Sequence, residues 1–268
     1  VPEDVLIEAS GLLTTVNIGD AMATDKNGIL SLSHNAPSSF PLGTNTIIWT
    51  AIDGVGNMAI ASQIVTIQDT TPPLISSLDD ISLEAKSTTE NLVELITPEI
   101  SDDVGVYSIT NDAPEVFPLG ETIVTWTATD TSGNSASSTQ TISVQACGNS
   151  PSYYNIIIGS EDDDLLIGTT LADLIFAKGG DDIISGNKGN DCILGGEGND
   201  IIFGNDGNDN ISGQDGNDII KGHSGEDFIF GGLGLDVIDG GDDIDTCKII
   251  DEQNSDIVIK CESNSSEN

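Results

Sequence analysis

The sequence contains no arginine, and its seven lysines stand against 45 acidic residues, giving a net charge of −38. Nucleic acids and anionic membrane surfaces are bound through basic surfaces, so the composition argues against both as partners. No apolar run approaches the roughly 18 residues needed to cross a bilayer. Aromatic residues make up 4% of the chain, so its cores must be built from Val, Ile and Leu.

Recognisable catalytic motifs are also missing. The two histidines, His34 and His223, belong to no HExxH zinc motif, and the sequence has no GxSxG or GK[ST] segment. Its many glycines stand beside acidic residues, which repel phosphate, and lack an accompanying helix. We therefore expect no enzyme and no catalytic residue.

What the sequence does contain is a nine-residue repeat of ten frames, from Gly159 to Lys248. The first place is Gly except at Ala177, and from Gly189 to Gly234 the fourth place is Gly in six successive frames. The eighth place is apolar throughout. The sixth place is always aspartate: Asp164, Asp173, Asp182, Asp191, Asp200, Asp209, Asp218, Asp227, Asp236 and Asp245.

These fixed places predict a stacked structure that binds metal. Glycine at places one and four allows tight turns and positive φ, and each frame reads as a turn of six residues followed by a strand of three. One frame cannot bury its aliphatic residue alone, but a stack of frames can. Residues 159–248 carry 21 acidic side chains against four lysines, which would repel one another without cations. Calcium, which takes six to eight oxygen ligands, suits this composition.

The stretch resembles the RTX (repeat-in-toxin) nonapeptide family, whose repeat G-G-x-G-x-D-x-U-x matches residues 195–203. The resemblance implies a parallel β-roll in which two frames form one coil and several calcium ions lie between turns two frames apart. The implied pairs are Asp182–Asp200, Asp191–Asp209, Asp200–Asp218, Asp209–Asp227 and Asp218–Asp236. Backbone carbonyls complete the implied ligand set, which involves Gly186, Gly189, Gly195, Gly198, Gly204, Gly207, Gly213, Gly216, Gly222 and Gly225.

The outer frames depart from the glycine pattern. Asp162, Leu171 and Asp243 stand where the family has glycine. We expect the frames that contain these three residues to serve as caps.

A longer repeat precedes the nonapeptides. Residues 36–68 and 113–145 match at an offset of 77 residues and share Phe-Pro-Leu-Gly, Trp-Thr-Ala-x-Asp and Gly-Asn segments. Alternating residues predict strands at Thr46–Ala51, Ala61–Ile67, Ile123–Ala128 and Ser138–Val144. The two units resemble hyalin repeat (HYR) domains, which implies immunoglobulin-like β-sandwiches with extracellular adhesive or spacer roles and no catalysis.

The first of these units lacks a segment that the second one has. Residues 69–76 precede the second unit, whereas Val1 aligns with about Ser77. Either the sequence belongs to a longer multi-repeat protein, or a neighbouring subunit adds a strand against Val5–Glu8. The second alternative would make the protein a filament subunit.

The four cysteines allow three disulfide connectivities. Residues 246–262 read as a hairpin that turns at Asn254 and places Cys247 opposite Cys261, so we expect a disulfide between those two. Cys147 and Cys192 then remain as a second candidate pair. Disulfides and calcium together favour an oxidising, extracellular setting.

The sequence thus predicts an all-β protein: two immunoglobulin-like β-sandwiches and a parallel β-roll. The expected domains are residues 1–70, residues 71–147, residues 148–262 with the hairpin cap, and a polar tail, 263–268. The expected function is that of a secreted or cell-surface, non-catalytic calcium-binding structural or adhesive protein. The alternatives are a subunit of a surface layer or filament built by strand sharing, with identical subunits as partners, and the carrier tail of a toxin or hydrolase.

Overall fold

The computed structural model describes residues 1–85, 91–249 and 256–266. The described residues form an all-β structure, as predicted, and include no helix long and apolar enough to span a membrane. By internal contacts the chain divides into two compact units, residues 1–79, 95–113 and 124–140, and residues 80–94, 114–123 and 141–268. The domain boundaries at residues 70 and 147 remain a prediction.

The first sandwich is built from long alternating strands. Val5, Val65 and their neighbours pair in parallel, and the sheet has the order β1-β6-β5-β3. Its core contains Phe40, Ile47 and Trp49, because alternate residues of a strand point to the same face. The strands are β1 (Val5–Glu8), β2 (Leu13–Thr14), β3 (Ile29–His34), β4 (Phe40–Pro41), β5 (Gly43–Asp53) and β6 (Met58–Gln68).

The second sandwich repeats this topology, with the sheet order β10-β11-β12-β8. The four predicted strands are all present, but each begins three residues earlier and ends one or two residues later, because the pairing continues to the connecting turn. The strands are β7 (Leu74–Ile75), β8 (Ile81–Glu84), β9 (Ile100–Ser101), β10 (Val106–Asn111), β11 (Gly120–Asp130) and β12 (Ser135–Gln145).

The same turn closes the long hairpin in both repeats. The carboxylate of Asp53 accepts hydrogen bonds from the backbone N–H groups of Val55 and Asn57. Asp130 accepts the equivalent bonds from Ser132 and Asn134. Each aspartate therefore stabilises a tight turn by replacing backbone acceptors with its own oxygen.

The second repeat shows where the segment that the first repeat lacks is paired. In the second repeat β7 pairs with β9, with Ile75 opposite Ile100. The edge strand β8, which corresponds to β1, pairs with β12. By the 77-residue offset, a strand added to the first repeat would lie beside Ala23 and Thr24. In the second repeat the leading segment thus pairs away from the edge strand, and the addition of a neighbouring subunit's strand against Val5–Glu8 remains a prediction.

The nonapeptides form a parallel β-roll after a 3-10 turn at Pro151–Tyr153. Each strand pairs with the strand two frames away, so that residues 18 apart are neighbours and two frames make one coil. The strands are β13 (Asn155–Ile158), β14 (Leu165–Ile167), β15 (Asp173–Gly179), β16 (Ile183–Lys188), β17 (Cys192–Glu197), β18 (Ile201–Asp206), β19 (Asn210–Asp215), β20 (Ile219–Ser224), β21 (Phe228–Leu233), β22 (Val237–Asp242), β23 (Thr246–Ile249), β24 (Ile257–Ile259) and β25 (Ser263–Ser266).

The place-eight residues form one continuous core between the two sheets of the roll. Seven isoleucines, from Ile184 through Ile238 in the repeat register, are 0% exposed together with Ile175 and Cys247. Most roll strands are six residues long rather than three, because parallel pairing continues through places one to three of the next frame. One row of apolar side chains from each sheet thus holds the two sheets together.

The backbone has positive φ at places two and four of the frame, whereas places one and four were expected. Place-four glycines have positive φ, as predicted, with φ of +127° at Gly198 and +134° at Gly207. Place two also has positive φ, for example at Asn205 and His223. Place-one glycines are absent from this conformation. The expectation of positive φ at place one was wrong. Glycine is needed there for space, because a Cβ would collide with neighbouring oxygens.

The C-terminal hairpin prediction was also wrong. β24 pairs in parallel with β22, and β25 pairs in parallel with β23, so the tail adds a further coil to the roll. Val258 extends the place-eight core. Asn254, the predicted turn centre, lies outside the described residues. The structure contains both expected disulfides, Cys147–Cys192 and Cys247–Cys261.

The core row predicts opposite outcomes for two adjacent isoleucines. Ile220 is fully buried, whereas Ile219 is 41% exposed. We expect Ile220→Ala to destabilise the roll by about 2–5 kcal/mol through lost burial and a cavity, and Ile219→Ala by less than about 1 kcal/mol. Local hydrogen exchange of the calcium-loaded chain measures both, because repeat arrays need not unfold as one unit. Equal losses in the two variants would contradict the assigned core.

Candidate metal centre

The place-six aspartates form two rows along the roll. Asp200 and its counterparts precede the strands of one sheet, and Asp209 and its counterparts precede those of the other. We call them the first row (Asp164, Asp182, Asp200, Asp218 and Asp236) and the second row (Asp173, Asp191, Asp209, Asp227 and Asp245). All except Asp164 are buried.

Within each row, neighbouring aspartates are joined through one carboxylate oxygen. The backbone N–H of Asp191 donates to Oδ1 of Asp209 at 2.8 Å, and that of Asp200 donates to Oδ1 of Asp218 at 2.8 Å. The remaining implied pairs make the same contact at 2.8–2.9 Å: Asp182–Asp200, Asp209–Asp227 and Asp218–Asp236. The structure therefore brings together every pair that the resemblance implied.

The second carboxylate oxygen has no such partner. Within the described chain, eight Oδ2 atoms are buried without a hydrogen-bond donor. A buried, unpaired carboxylate oxygen carries a large desolvation cost unless a proton or a cation balances its charge. The eight atoms belong to Asp182, Asp191, Asp200, Asp209, Asp218, Asp227, Asp236 and Asp245.

Glycine at place one leaves room beside seven of these eight oxygens, the exception being that of Asp182, whose frame begins with Ala177. A Cβ on Gly204 would lie 2.9 Å from the carbonyl oxygen of Gly222 and would also meet Oδ2 of Asp209. A Cβ on Gly195 would lie 2.6 Å from the Gly213 carbonyl oxygen. The space is thus bounded by a carboxylate oxygen and a carbonyl oxygen, which are the hard oxygen donors that calcium prefers. The residues present fit calcium.

Place-four glycines have a related role. A Cβ on Gly198 would collide with the carbonyl group of Gly180, and Gly207 stands in the same relation to Gly189. Because these glycines also have positive φ, any side chain there would be both strained and crowded. The glycine pattern therefore keeps successive turns close together.

Burial shifts the protonation of the metal-free rows. Desolvation raises the pKa of Asp191, Asp209, Asp218 and Asp227 from 3.8 to about 7, although each carboxylate also accepts a backbone hydrogen bond that lowers it. The pKa of Asp200 rises to about 6 for the same reason. Without a cation, these groups therefore keep their protons in the folded roll to a higher pH than ordinary aspartates do, because burial disfavours the charged form.

The first two aspartates differ from the others. Oδ2 of Asp164 accepts hydrogen bonds from the backbone and side chain of Ser160, which lower the pKa of Asp164. Asp173 accepts hydrogen bonds from Thr169 and from the side-chain amide of Asn155, the first residue of β13. Local donors thus satisfy both carboxylates, in keeping with the prediction that these frames are caps.

Two acidic residues beyond the repeat continue the rows and were not predicted. Asp256 accepts the backbone N–H of Asp236 at 3.0 Å, and Glu262 accepts that of Asp245 at 2.8 Å. Their spacings are 20 and 17 residues rather than 18, so a strict nine-residue register misses them. The sequence feature that could have identified Asp256 is its place directly before the apolar residues Ile257-Val258-Ile259, which repeats the order of the nonapeptide frame.

A second side-chain ladder runs through place five. Oδ1 of Asn199 accepts the backbone N–H of Asn217 at 3.0 Å, and Oδ1 of Asn190 accepts that of Asn208 at 3.0 Å. This ladder points in the opposite direction to that of place six, since the earlier side chain accepts from the later backbone. The sequence analysis did not identify it, although four successive asparagines at place five marked the position.

A separate acidic group lies in the sandwich portion. Carboxylate oxygens of Asp69, Asp102 and Asp130 lie within 4.8 Å of one another. Each of these side chains already accepts hydrogen bonds, from Ser132 to Asp69 and from Val104 to Asp102, for example. The group therefore differs from the rows of the roll, in which oxygens are left unpaired.

Comparison with known families agrees with both parts of this description. Residues 167–202, 193–220, 203–238 and 212–247 match the RTX calcium-binding nonapeptide repeat in four overlapping copies. Residues 68–144 match the HYR domain. The chain thus carries RTX calcium-binding repeats, as predicted, preceded by an HYR domain. That the first sandwich is a second HYR domain remains a prediction.

Individual relatives share part of the chain. Hyalin from Lytechinus variegatus is 33% identical over 168 residues, which is 56% of this chain and 30% of that protein. Hyalin from Strongylocentrotus purpuratus is 38% identical over 120 residues, 42% of this chain and 10% of that protein. A rat sushi, von Willebrand factor type A, EGF and pentraxin domain-containing protein is 31% identical over half of this chain, and over 4% of its own length.

The raised pKa values predict how metal-free stability depends on pH. The folded roll holds protons on Asp191, Asp209, Asp218 and Asp227 up to about pH 7, whereas an unfolded chain loses them near pH 3.8. The folded state therefore binds more protons, and its stability falls as pH rises through this window. Hydrogen exchange of dialysed, metal-free protein should show a more protected roll at pH 5 than at pH 8. Protection that increases with pH would contradict the assigned burial.

Replacing one buried carboxylate should have opposite effects with and without calcium. Asp209→Asn removes a charge whose Oδ2 is unpaired, so the metal-free roll should become more stable, while the affinity for calcium should fall about tenfold or more at the sites beside it. Calorimetry of calcium binding and thermal unfolding measure the two effects. Asp215→Asn, at an exposed place-three residue, is the matched control and should leave both unchanged. Equal calcium binding by the two variants would contradict the role of Asp209.

Proposed function

We propose that this chain is a non-catalytic, extracellular calcium-binding structural or adhesive protein whose roll folds and stiffens when calcium binds. The observation that supports this most directly is the set of eight buried, unpaired Oδ2 atoms, seven of which lie beside a place-one glycine. Such atoms are costly in a structure that binds nothing and are expected in one that binds cations.

The coupling between binding and folding follows from these residues. In the unfolded chain the aspartates are hydrated and far apart, whereas stacking the coils buries them in rows with like charges as neighbours. Calcium supplies the positive charge that balances the carboxylates in the folded roll. Binding free energy is then available as folding free energy, because the ligands are assembled only in the stacked structure.

An extracellular location is consistent with the chemistry of the chain. Two disulfides persist in oxidising compartments. Extracellular calcium modules have dissociation constants on the order of 0.1–1 mM, so their sites fill outside the cell and stay empty at the low calcium concentration of cytosol. The roll would therefore acquire its structure after export.

The structural or adhesive role rests on the sandwich portion and on its relatives. The sandwich portion contains the HYR domain and is similar to two hyalins. Its hairpins end in tight turns, and Trp49 and Trp126 are buried in it. No catalysis is proposed, since the families matched by the repeats and by the HYR domain are structural or adhesive rather than catalytic.

Removing calcium should unfold the roll and spare the sandwiches. In the full chain at pH 7.5, hydrogen exchange with calcium on the order of 1 mM should protect residues 182–238 by at least a hundredfold relative to chelated protein. The long hairpins β5–β6 and β11–β12 should keep their protection in both conditions. An isolated 148–268 fragment should likewise lose its β signal in circular dichroism on chelation.

Two controls make this test specific. Magnesium at the same concentration should not restore protection, because it demands a stricter octahedral geometry than carbonyl and carboxylate oxygens of a turn provide. A roll that is equally protected with and without chelator at pH 7.5 would overturn the proposal.

A further inference from the structure

The two faces of the roll differ in what covers them. Places seven and nine flank the buried place eight, so their side chains point away from the core. On the sheet of odd-numbered strands, the outward residues Leu174, Phe176 and Cys192 are nevertheless at most 3% exposed. Cys192 is bonded there to Cys147, whose sulfur also lies 3.9 Å from the carbonyl oxygen of Asn210. Part of this face is therefore covered by the chain itself.

The opposite face carries an uncovered apolar row. We call the outward side of β14, β16, β18, β20, β22 and β24 the open face. At place seven, six aliphatic side chains lie side by side on successive strands. Five are between 36% and 67% exposed, and Ile201 is half-buried. The row consists of Leu165, Ile183, Ile201, Ile219, Val237 and Ile257.

The charges of the open face balance, although the chain as a whole is strongly acidic. The six strands and the adjoining Lys260 contain three lysines and three aspartates, which sum to zero. Lys188 pairs with Asp206 at 2.8 Å, and Lys260 lies 3.7 Å from Asp239. Lys221 is the cross-strand neighbour of Asp239. Most of the acidic excess of the roll therefore lies at its turns.

We propose that the open face is a self-association surface, on which the open face of a second copy packs. A sheet with a central aliphatic row and neutral flanks is complementary to itself, since two such sheets can pack face to face about 10 Å apart. Elsewhere the net charge of −38 repels a second copy, whereas here like charges do not accumulate. A basic partner would instead be drawn to the acidic turns, which makes a second copy the better occupant.

The size of the surface sets the expected strength. Six strands at about 4.8 Å spacing span roughly 24 Å. The four middle strands, of six residues, are each roughly 20 Å long, and the two outer ones, β14 and β24, of three residues, are each roughly 10 Å long. The contact then measures roughly 400–500 Å² per copy, about half of a standard interface. We expect reversible association with a dissociation constant of roughly 10 μM to 1 mM, which would become effective where many copies are held close together.

Sedimentation velocity of the calcium-loaded full chain over roughly 10 μM to 1 mM tests the proposal. The mean mass should rise with concentration for the wild type. The double variant Ile183→Lys, Ile219→Lys should weaken association at least tenfold, because each substitution places a charge in the apolar row. Ile183→Thr, Ile219→Thr, which keeps β-branched side chains, should weaken it in the same direction. Circular dichroism in calcium checks that each variant keeps a folded roll, so a failure of calcium-coupled folding is recognised separately.

The matched control is Leu171→Lys, Leu235→Lys. Both leucines are more than half exposed but lie at turn places four and five, off the open face, and the charge change is identical. This variant should associate within about twofold of wild type. A wild type that stays monomeric throughout the range, or an open-face variant that associates as well as the control, would overturn the proposal.

Discussion

The roll depends on a single constraint: one nine-residue frame cannot shelter its own aliphatic side chain or balance its own carboxylate. Both requirements are met only by the coils above and below. Ile211 is buried by its neighbours in the stack, and Asp209 gives one oxygen to the coil before it while its other oxygen faces a neighbouring carbonyl. Packing and charge balance therefore share one axis, so the fold is stable as an array or not at all.

The glycines follow from the same constraint. Successive turns approach so closely that a Cβ at Gly195 or Gly207 would meet the backbone of the neighbouring coil. This close approach also brings carbonyl oxygens to the carboxylates, so that the residue with no side chain helps to build the polar site. Glycine at place one is needed for space, and at place four for both space and positive φ.

Much of this arrangement was predictable because a strict period converts sequence distance into spatial distance. An aspartate every nine residues, with an apolar residue two positions later, predicts a stack of frames, and the resemblance to RTX repeats implied the two-frame coil that brings Asp200 beside Asp218. The prediction failed where the period failed. Near the C-terminus the spacing between row members changes to 20 and 17 residues. The placement of Cys247 and Cys261 on either side of Asn254 suggested a hairpin. The tail instead forms a further coil, whose strands pair with the last strand of each sheet. The disulfide is compatible with both arrangements, so it could not distinguish them.

The ends of the array explain why the outer frames are irregular. A terminal coil lacks one neighbour, so a buried charge there would have half of the surrounding oxygen and metal contacts. In the first frames Ser160 and Thr169 supply hydroxyl and backbone donors to Asp164 and Asp173, which removes the need for a cation. At the other end Glu262, with a longer side chain, reaches Asp245 from a shortened connection. Degenerate frames are thus the form that the same repeat must take where the stack stops. The unpaired carboxylate oxygens lie in the frames from Asp182 to Asp245, where every carboxylate has a coil on both sides.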